Sequence, residues 1–211
     1  MGHVVLLGDS VFDNAAYVAG GPDVVRQVRE RLLPGWDASL RAVDGSTVAG
    51  LDQQLTRIPS DATHLVISAG GNDALGYSSV LGAPSRSMAE SLSQLAQIGD
   101  EFQARYAAAI TAVSQRGLPA AVCTIYDPRY TDPVQRRLGT TALTVINDVI
   151  IREAVRRGMP ILDLRLICDE DADFANPIEP SVHGGWKIAG AIASLVTKHD
   201  FARRISEVFV D

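Results

Sequence analysis

The chain is short of cysteine, of histidine and of positive charge, and each shortage removes a class of protein. Two cysteines, Cys123 and Cys168, are too few for a disulfide framework, and Cys123 lies in an apolar run as a buried thiol would. With only 4 histidines, Cys and His are too scattered for the clustered spacing of a zinc site. Lys and Arg number 19 against 25 Asp and Glu, a net charge of −6, which disfavours a nucleic-acid surface. No apolar run approaches the roughly 20 residues of a membrane span. The first residues, Met1 to Gly8, lack the cationic start and the length of a signal peptide. A cytoplasmic location with no membrane span is the expectation. Walker loops, dinucleotide fingerprints, His-Glu-x-x-His helices and Gly-x-Ser-x-Gly elbows are all missing, so no cofactor and no metal are expected.

What is present fits an α/β protein. Its 211 residues, 46% of them hydrophobic, suffice for one well-buried domain spanning residues 1–211. Five short apolar runs read as strands buried on both faces of a parallel sheet: His3–Leu7, Ser39–Val43, His64–Ala69, Ala120–Ile125 and Pro160–Leu164. Between and after them, helical patterns cover Pro22–Leu33, Thr47–Ile58 (with Ser46 as candidate cap), Met88–Gln115, Thr141–Arg157, Trp186–Thr197 and His199–Val210. Gly99 marks a possible break in the longest. Strands alternating with helices predict a layered α/β/α sandwich. Two long loops remain, Ala74–Ser87 and Tyr126–Leu138, of the kind that often bind ligands.

Three elements carry chemistry. Gly8-Asp9-Ser10 follows the first strand, Gly70-Gly71-Asn72-Asp73 follows the third, and His183 precedes the final helices. A serine needs a base to become a nucleophile and donors for the oxyanion it generates. Each element alone also reads as a turn or a helix cap, and Gly45 in Asp44-Gly45-Ser46 as a turn glycine. Together they fall where open parallel sheets bind ligands, beyond the carboxyl ends of the strands. His3 and His64 stand at strand starts, on the wrong edge, and His199 sits at or before the last helix.

These residues resemble the SGNH, or GDSL, hydrolase superfamily. The resemblance rests on Gly8-Asp9-Ser10 with Asp13-Asn14 behind it, Gly45, Gly71-Asn72-Asp73 and His183, and so spans residues 8 to 183. It implies a flavodoxin-like three-layer sandwich with about five parallel strands. It also implies that Ser10 is the nucleophile, that Ser10 N–H, Gly45 N–H and the Asn72 amide form the oxyanion hole, and that His183 is the base. One position departs from the pattern. The family commonly has Asp three residues before the histidine, where this chain has Pro180. Glu179 is the nearest carboxylate, with Asp173 next upstream. Either Glu179 orients His183 or a backbone carbonyl does, leaving a Ser–His dyad.

The expected function is a serine esterase acting on small carboxylic esters through an acyl-enzyme on Ser10. Asp9 and Asp13 read as residues that stabilise the loop. Leu75, Tyr77, Val80 and Leu81 in the first long loop suit an acyl chain. Arg129, Arg136 and Arg137 in the second are either solvated or face an anionic leaving group. Acyl-CoA thioesterase and carbohydrate O-acetyl esterase are alternatives on the same site. A non-catalytic flavodoxin-like binding domain is the alternative of another class.

Overall fold

A computed structural model of the chain describes residues 2–211. Strand β1 (His3–Gly8) opens it, followed by α1 (Val24–Arg31), β2 (Asp37–Leu40), a 3₁₀ turn at Val48–Gly50 leading into α2 (Leu51–Leu55), and β3 (His64–Ser68). Next come α3 (Gly71–Gly76), a 3₁₀ turn at Ser78–Gly82, α4 (Met88–Ser114), β4 (Ala120–Cys123), α5 (Pro133–Arg157), β5 (Ile161–Leu162) and α6 (Leu164–Ile167). The chain then makes β6 (Phe174–Asn176), β7 (Glu179–Pro180), α7 (Val182–Lys198) and β8 (Val208–Phe209). Strands in the order β2-β1-β3-β4-β5-β8 form one sheet, parallel throughout, while β6 and β7 pair antiparallel as a separate hairpin.

Alternation along β1 builds the layers. Val4 and Leu6 point to one face, where α1, α6 and α7 cover them, and Val5 and Leu7 point to the other, under α2, α4 and α5. Because both faces are covered, the strand reads as a continuous apolar run. The result is the expected three-layer α/β/α sandwich.

Several expectations shift. The sheet has six strands rather than about five, because the segment expected to be helix His199–Val210 is a 3₁₀ turn at Phe201–Arg203 followed by β8. Asp200 caps that turn through Ala202 N, and Arg204 leaves it in the left-handed region, φ 49°, where a helix cannot continue. The second strand lies at Asp37–Leu40, earlier than Ser39–Val43. Helix α5 starts at Pro133, well before Thr141, because Asp132 accepts from Val134 N at 2.8 Å and Pro133 suits the first turn. The second half of the expected loop Tyr126–Leu138 is therefore helix. Helix α4 runs unbroken through Gly99, which is buried against α5: a Cβ there would lie 2.8 Å from Val145.

Candidate functional site

The turn after β1 is set by two glycine requirements and one glutamine. Gly8 has φ 125°, and a Cβ on it would fall 1.7 Å from the Ser68 carbonyl oxygen of β3. Only glycine allows that approach. Gln54 of α2 holds the same residue on both sides, accepting from Gly8 N at 2.7 Å and donating to Gly8 O at 2.8 Å. Asp9 then takes Val11 N on its carboxylate at 3.2 Å, while its carbonyl accepts from Phe12 N and Asp13 N. Ser10 is thereby fixed in a tight turn at the carboxyl end of β1. Its N–H makes no protein hydrogen bond among the described residues.

The end of β3 supplies the second component. Gly70 turns the chain at φ 122°, with a Cβ position 2.9 Å from Phe102. This starts α3, on whose first turn Asn72 stands. Its Nδ2 donates to Ser46 O at 3.0 Å, tying α3 to the loop after β2, and Asp73 accepts from Val48 N of the same loop at 2.9 Å. Gly45 sits in that loop in the left-handed region, with open space around it. It does not line the cleft described below.

The third component departs from expectation. Ser10 Oγ donates a hydrogen bond to Glu179 Oε1 at 3.0 Å. Glu179, expected to receive the imidazole N–H of His183, accepts from the serine instead. It stands at the start of β7, only 5% exposed, and its Oε2 is buried without a partner among the described residues. Asn176 accepts from both Ile178 N and Glu179 N at 3.0 Å, closing the hairpin turn that aims Glu179. Asn14 joins the two sides. It donates to Pro180 O at 3.2 Å and accepts from Val24 N at 2.9 Å. Tyr126 holds the hairpin from below, donating to Ile178 O at 2.5 Å.

His183 does not line the cleft that holds Ser10, Asn72 and Glu179. Its side chain is 56% exposed, with Nε2 3.7 Å from Asp173 Oδ1. The reason is local. Ser181 caps α7, its Oγ accepting from His183 N at 3.1 Å and Gly184 N at 3.2 Å. His183 thus falls in the first helical turn, beside Asp173, which packs so closely that a Cβ on Gly184 would sit 2.1 Å from its carbonyl oxygen. Glu170, Asp173 and His183 each bring one donor atom within 4.8 Å of one another, a grouping that could hold a metal ion. A cation already stands there: Lys187 Nζ is 2.9 Å from Asp173 Oδ2 and 3.2 Å from Asp169 Oδ1.

Burial governs the acid groups around Ser10. It pushes the Glu179 carboxyl up to about 7; the Ser10 hydrogen bond pulls the other way and the charge of Asp44 adds to the rise. Asp9 also rises to about 7, first through burial, opposed by the Val11 N–H and reinforced by the charges of Glu179 and Asp73. No Lys or Arg side chain bonds to either carboxyl among the described residues.

These groups line a cleft of about 520 Å³. Leu75, Tyr77, Val80 and Leu81 all line it, as expected for that loop, and Leu95 and Ile98 of α4 and Leu143 and Ile146 of α5 complete apolar walls. Arg129, Arg136 and Arg137 do not line it. Arg129 and Arg136 approach Asp171 instead, at 3.7 and 3.2 Å.

Comparison with known proteins identifies the family. The family model for GDSL-like lipases and acylhydrolases matches residues 6–184. The chain belongs to this family. It is an ester hydrolase by class, built on the fold that its structural neighbours share. An extracellular lipase from Streptomyces rimosus is 17% identical, with a TM-score of 0.64 over 94% of this chain and 100% of its own. A phospholipase A1 from Streptomyces albidoflavus NA297 is 16% identical, with a TM-score of 0.65 over 94% of this chain and 99% of its own. A carbohydrate acetylesterase from Sinorhizobium meliloti is 14% identical, with a TM-score of 0.62 over 93% and 99%. A search of curated protein sequences finds no match.

Sequence reasoning did not find Gln54, Asn176 or Tyr126. For Asn176 a signal existed, since Asn-Pro favours turn initiation. For the other two there was none, because each acts through contacts distant in sequence.

Proposed function

We propose that this chain hydrolyses oxygen esters with an apolar acyl group and an uncharged alcohol, through an acyl-enzyme on Ser10. The observation that carries this reading is the placement of Ser10 and Asn72 on the floor of a cleft whose other walls are apolar. Ser10 Oγ attacks the ester carbonyl carbon. The oxyanion develops against Ser10 N–H and the Asn72 Nδ2 hydrogen that Ser46 O leaves unused. The acyl group extends along Leu75, Leu81 and Leu95. An acyl-CoA substrate fits less well, because its phosphates need cations and Arg129 and Arg136 approach Asp171 away from the cleft. A sugar acetate fits less well, because so apolar a wall leaves sugar hydroxyls without partners. The neighbours include both a phospholipase and an acetylesterase, so the choice rests on the cleft itself.

A panel of p-nitrophenyl esters tests the substrate, and a fluorophosphonate probe tests the nucleophile. Octanoate should exceed acetate in kcat/KM by at least about tenfold, as burial of additional methylenes requires. The probe should add to Ser10 and fail on Ser10→Ala. A preference for acetate overturns the substrate reading, and labelling that survives Ser10→Ala overturns the nucleophile.

A further inference from the structure

We infer that Glu179 is itself the proton acceptor for Ser10, so that the reaction runs on a Ser–Glu pair with no imidazole in it. The inference rests on the reading of Ser10 as nucleophile. Its foundation is geometric. A general base must lie within hydrogen-bond reach of the proton it takes, and Glu179 Oε1 is 3.0 Å from Ser10 Oγ. The chain's other site candidate for this role, His183, faces Asp173 and does not line the cleft.

The carboxylate is also aimed. Asn176 fixes its backbone N–H, Pro180 O is tied to Asn14, and Tyr126 anchors the residue before it. Its orientation therefore does not depend on a third catalytic group, as a histidine tautomer would. An ordinary carboxylate is a weak base toward an alcohol. The groups that face Glu179 correct this. Ser10 bonds to it, and the charges it interacts with at longer range, on Asp9, Asp44, Tyr17 and Tyr126, include no cation. Burial among them brings its carboxyl to about 7, within the range where a base operates near neutral pH.

The proton balance closes on this one group. As the Oγ–carbon bond forms, the hydroxyl proton passes to Glu179 Oε1 and the carbonyl electron pair moves to oxygen. Collapse of that intermediate breaks the bond to the leaving oxygen, which takes the proton back from Glu179. Water then attacks the acyl carbon, gives a proton to Glu179, and the departing Ser10 oxygen recovers it. No oxidant, metal or further acid is required.

Steady-state hydrolysis of p-nitrophenyl octanoate, with fluorophosphonate labelling in parallel, separates this inference from the reading beneath it. Glu179→Gln should lower kcat at least about a hundredfold with KM little changed, the scale of a lost general base. His183→Ala should stay within about threefold of the parent. Loss of about a hundredfold or more in His183→Ala overturns the inference, as does near-parental activity in Glu179→Gln, while Ser10 continues to label. Absence of Ser10 labelling in the parent chain overturns the nucleophile reading and this inference with it. Should Glu179→Gln not fold, His183→Ala alone decides: retained activity supports the Ser–Glu pair and its loss overturns it.

Discussion

Two buried carboxylates flank one small hairpin, and they have been given opposite surroundings. Asp173, just before β6, is fully buried but meets the ammonium of Lys187 at 2.9 Å and the backbone N–H of Glu170 at 2.9 Å. Glu179, at the start of β7, meets a serine hydroxyl, an unpaired cleft and no cation. A buried charge without a partner is expensive, and a carboxyl in that position holds its proton more tightly instead. The contrast separates a carboxylate paired with a cation from one that faces a cleft. The partner decides, since both are buried.

The largest effect should come from stripping the paired side of its cation. Lys187→Met leaves the buried Asp173 carboxylate without its ammonium partner, which should cost about 3–5 kcal/mol of stability by urea unfolding. Turnover per folded molecule should stay unchanged, because Lys187 is not in the cleft. An equal fall in kcat would join the two regions that the comparison separates.

On the chemical side, Asn72→Ala should lower kcat by roughly 10²–10³ with KM nearly constant, the scale of one lost oxyanion donor. An unchanged kcat would reduce Asn72 to its bond with Ser46 O. A smaller effect is expected from shortening the cleft. Ala142 lines it, and Ala142→Phe should move the preferred acyl group toward acetate by about tenfold in relative kcat/KM. Equal losses on every chain length would place the acyl group elsewhere.

The last effect is on stability against pH. Asp9 and Glu179 both have folded values of about 7, above their ordinary 3.8 and 4.5. The folded state therefore binds their protons more tightly than the unfolded state does. Their contribution favours the fold below about pH 4, weakens as pH rises, and is lost once pH exceeds about 7. The melting temperature should fall across that window, and Glu179→Gln should flatten the fall. A steeper fall in the variant would contradict the assigned direction.

The layered sheet was legible because Val4 to Leu7 and Leu65 to Ile67 are apolar on both faces, a pattern few other arrangements tolerate. The turn at Ser10 was legible because a glycine must precede it. The last strand was not. Val208 and Phe209 are too few to set a period, and they join the sheet only because β5 offers an edge. The start of α5 was not legible because Gly139-Thr140-Thr141 lowers local propensity, whereas the Asp132 cap and Pro133 begin the helix ahead of it. The proposed base was hidden for a different reason. Counted back from His183, the family's spacing falls on Pro180. Counted back from Glu179, it falls on Asn176, whose side chain accepts the Glu179 N–H. The hydrogen bond from Ser10 favours the second count.

The central claim is that a carboxylate, and not an imidazole, takes the serine proton. The pH profile of the parent chain alone does not name the group that titrates. The decisive measurement is kcat/KM against pH, from about 5 to 9, in His183→Ala beside the parent. If Glu179 takes the serine proton, the two curves superimpose, each rising through a single ionisation near 7. A variant curve that is flat, or that lies about a hundredfold lower throughout, would contradict it.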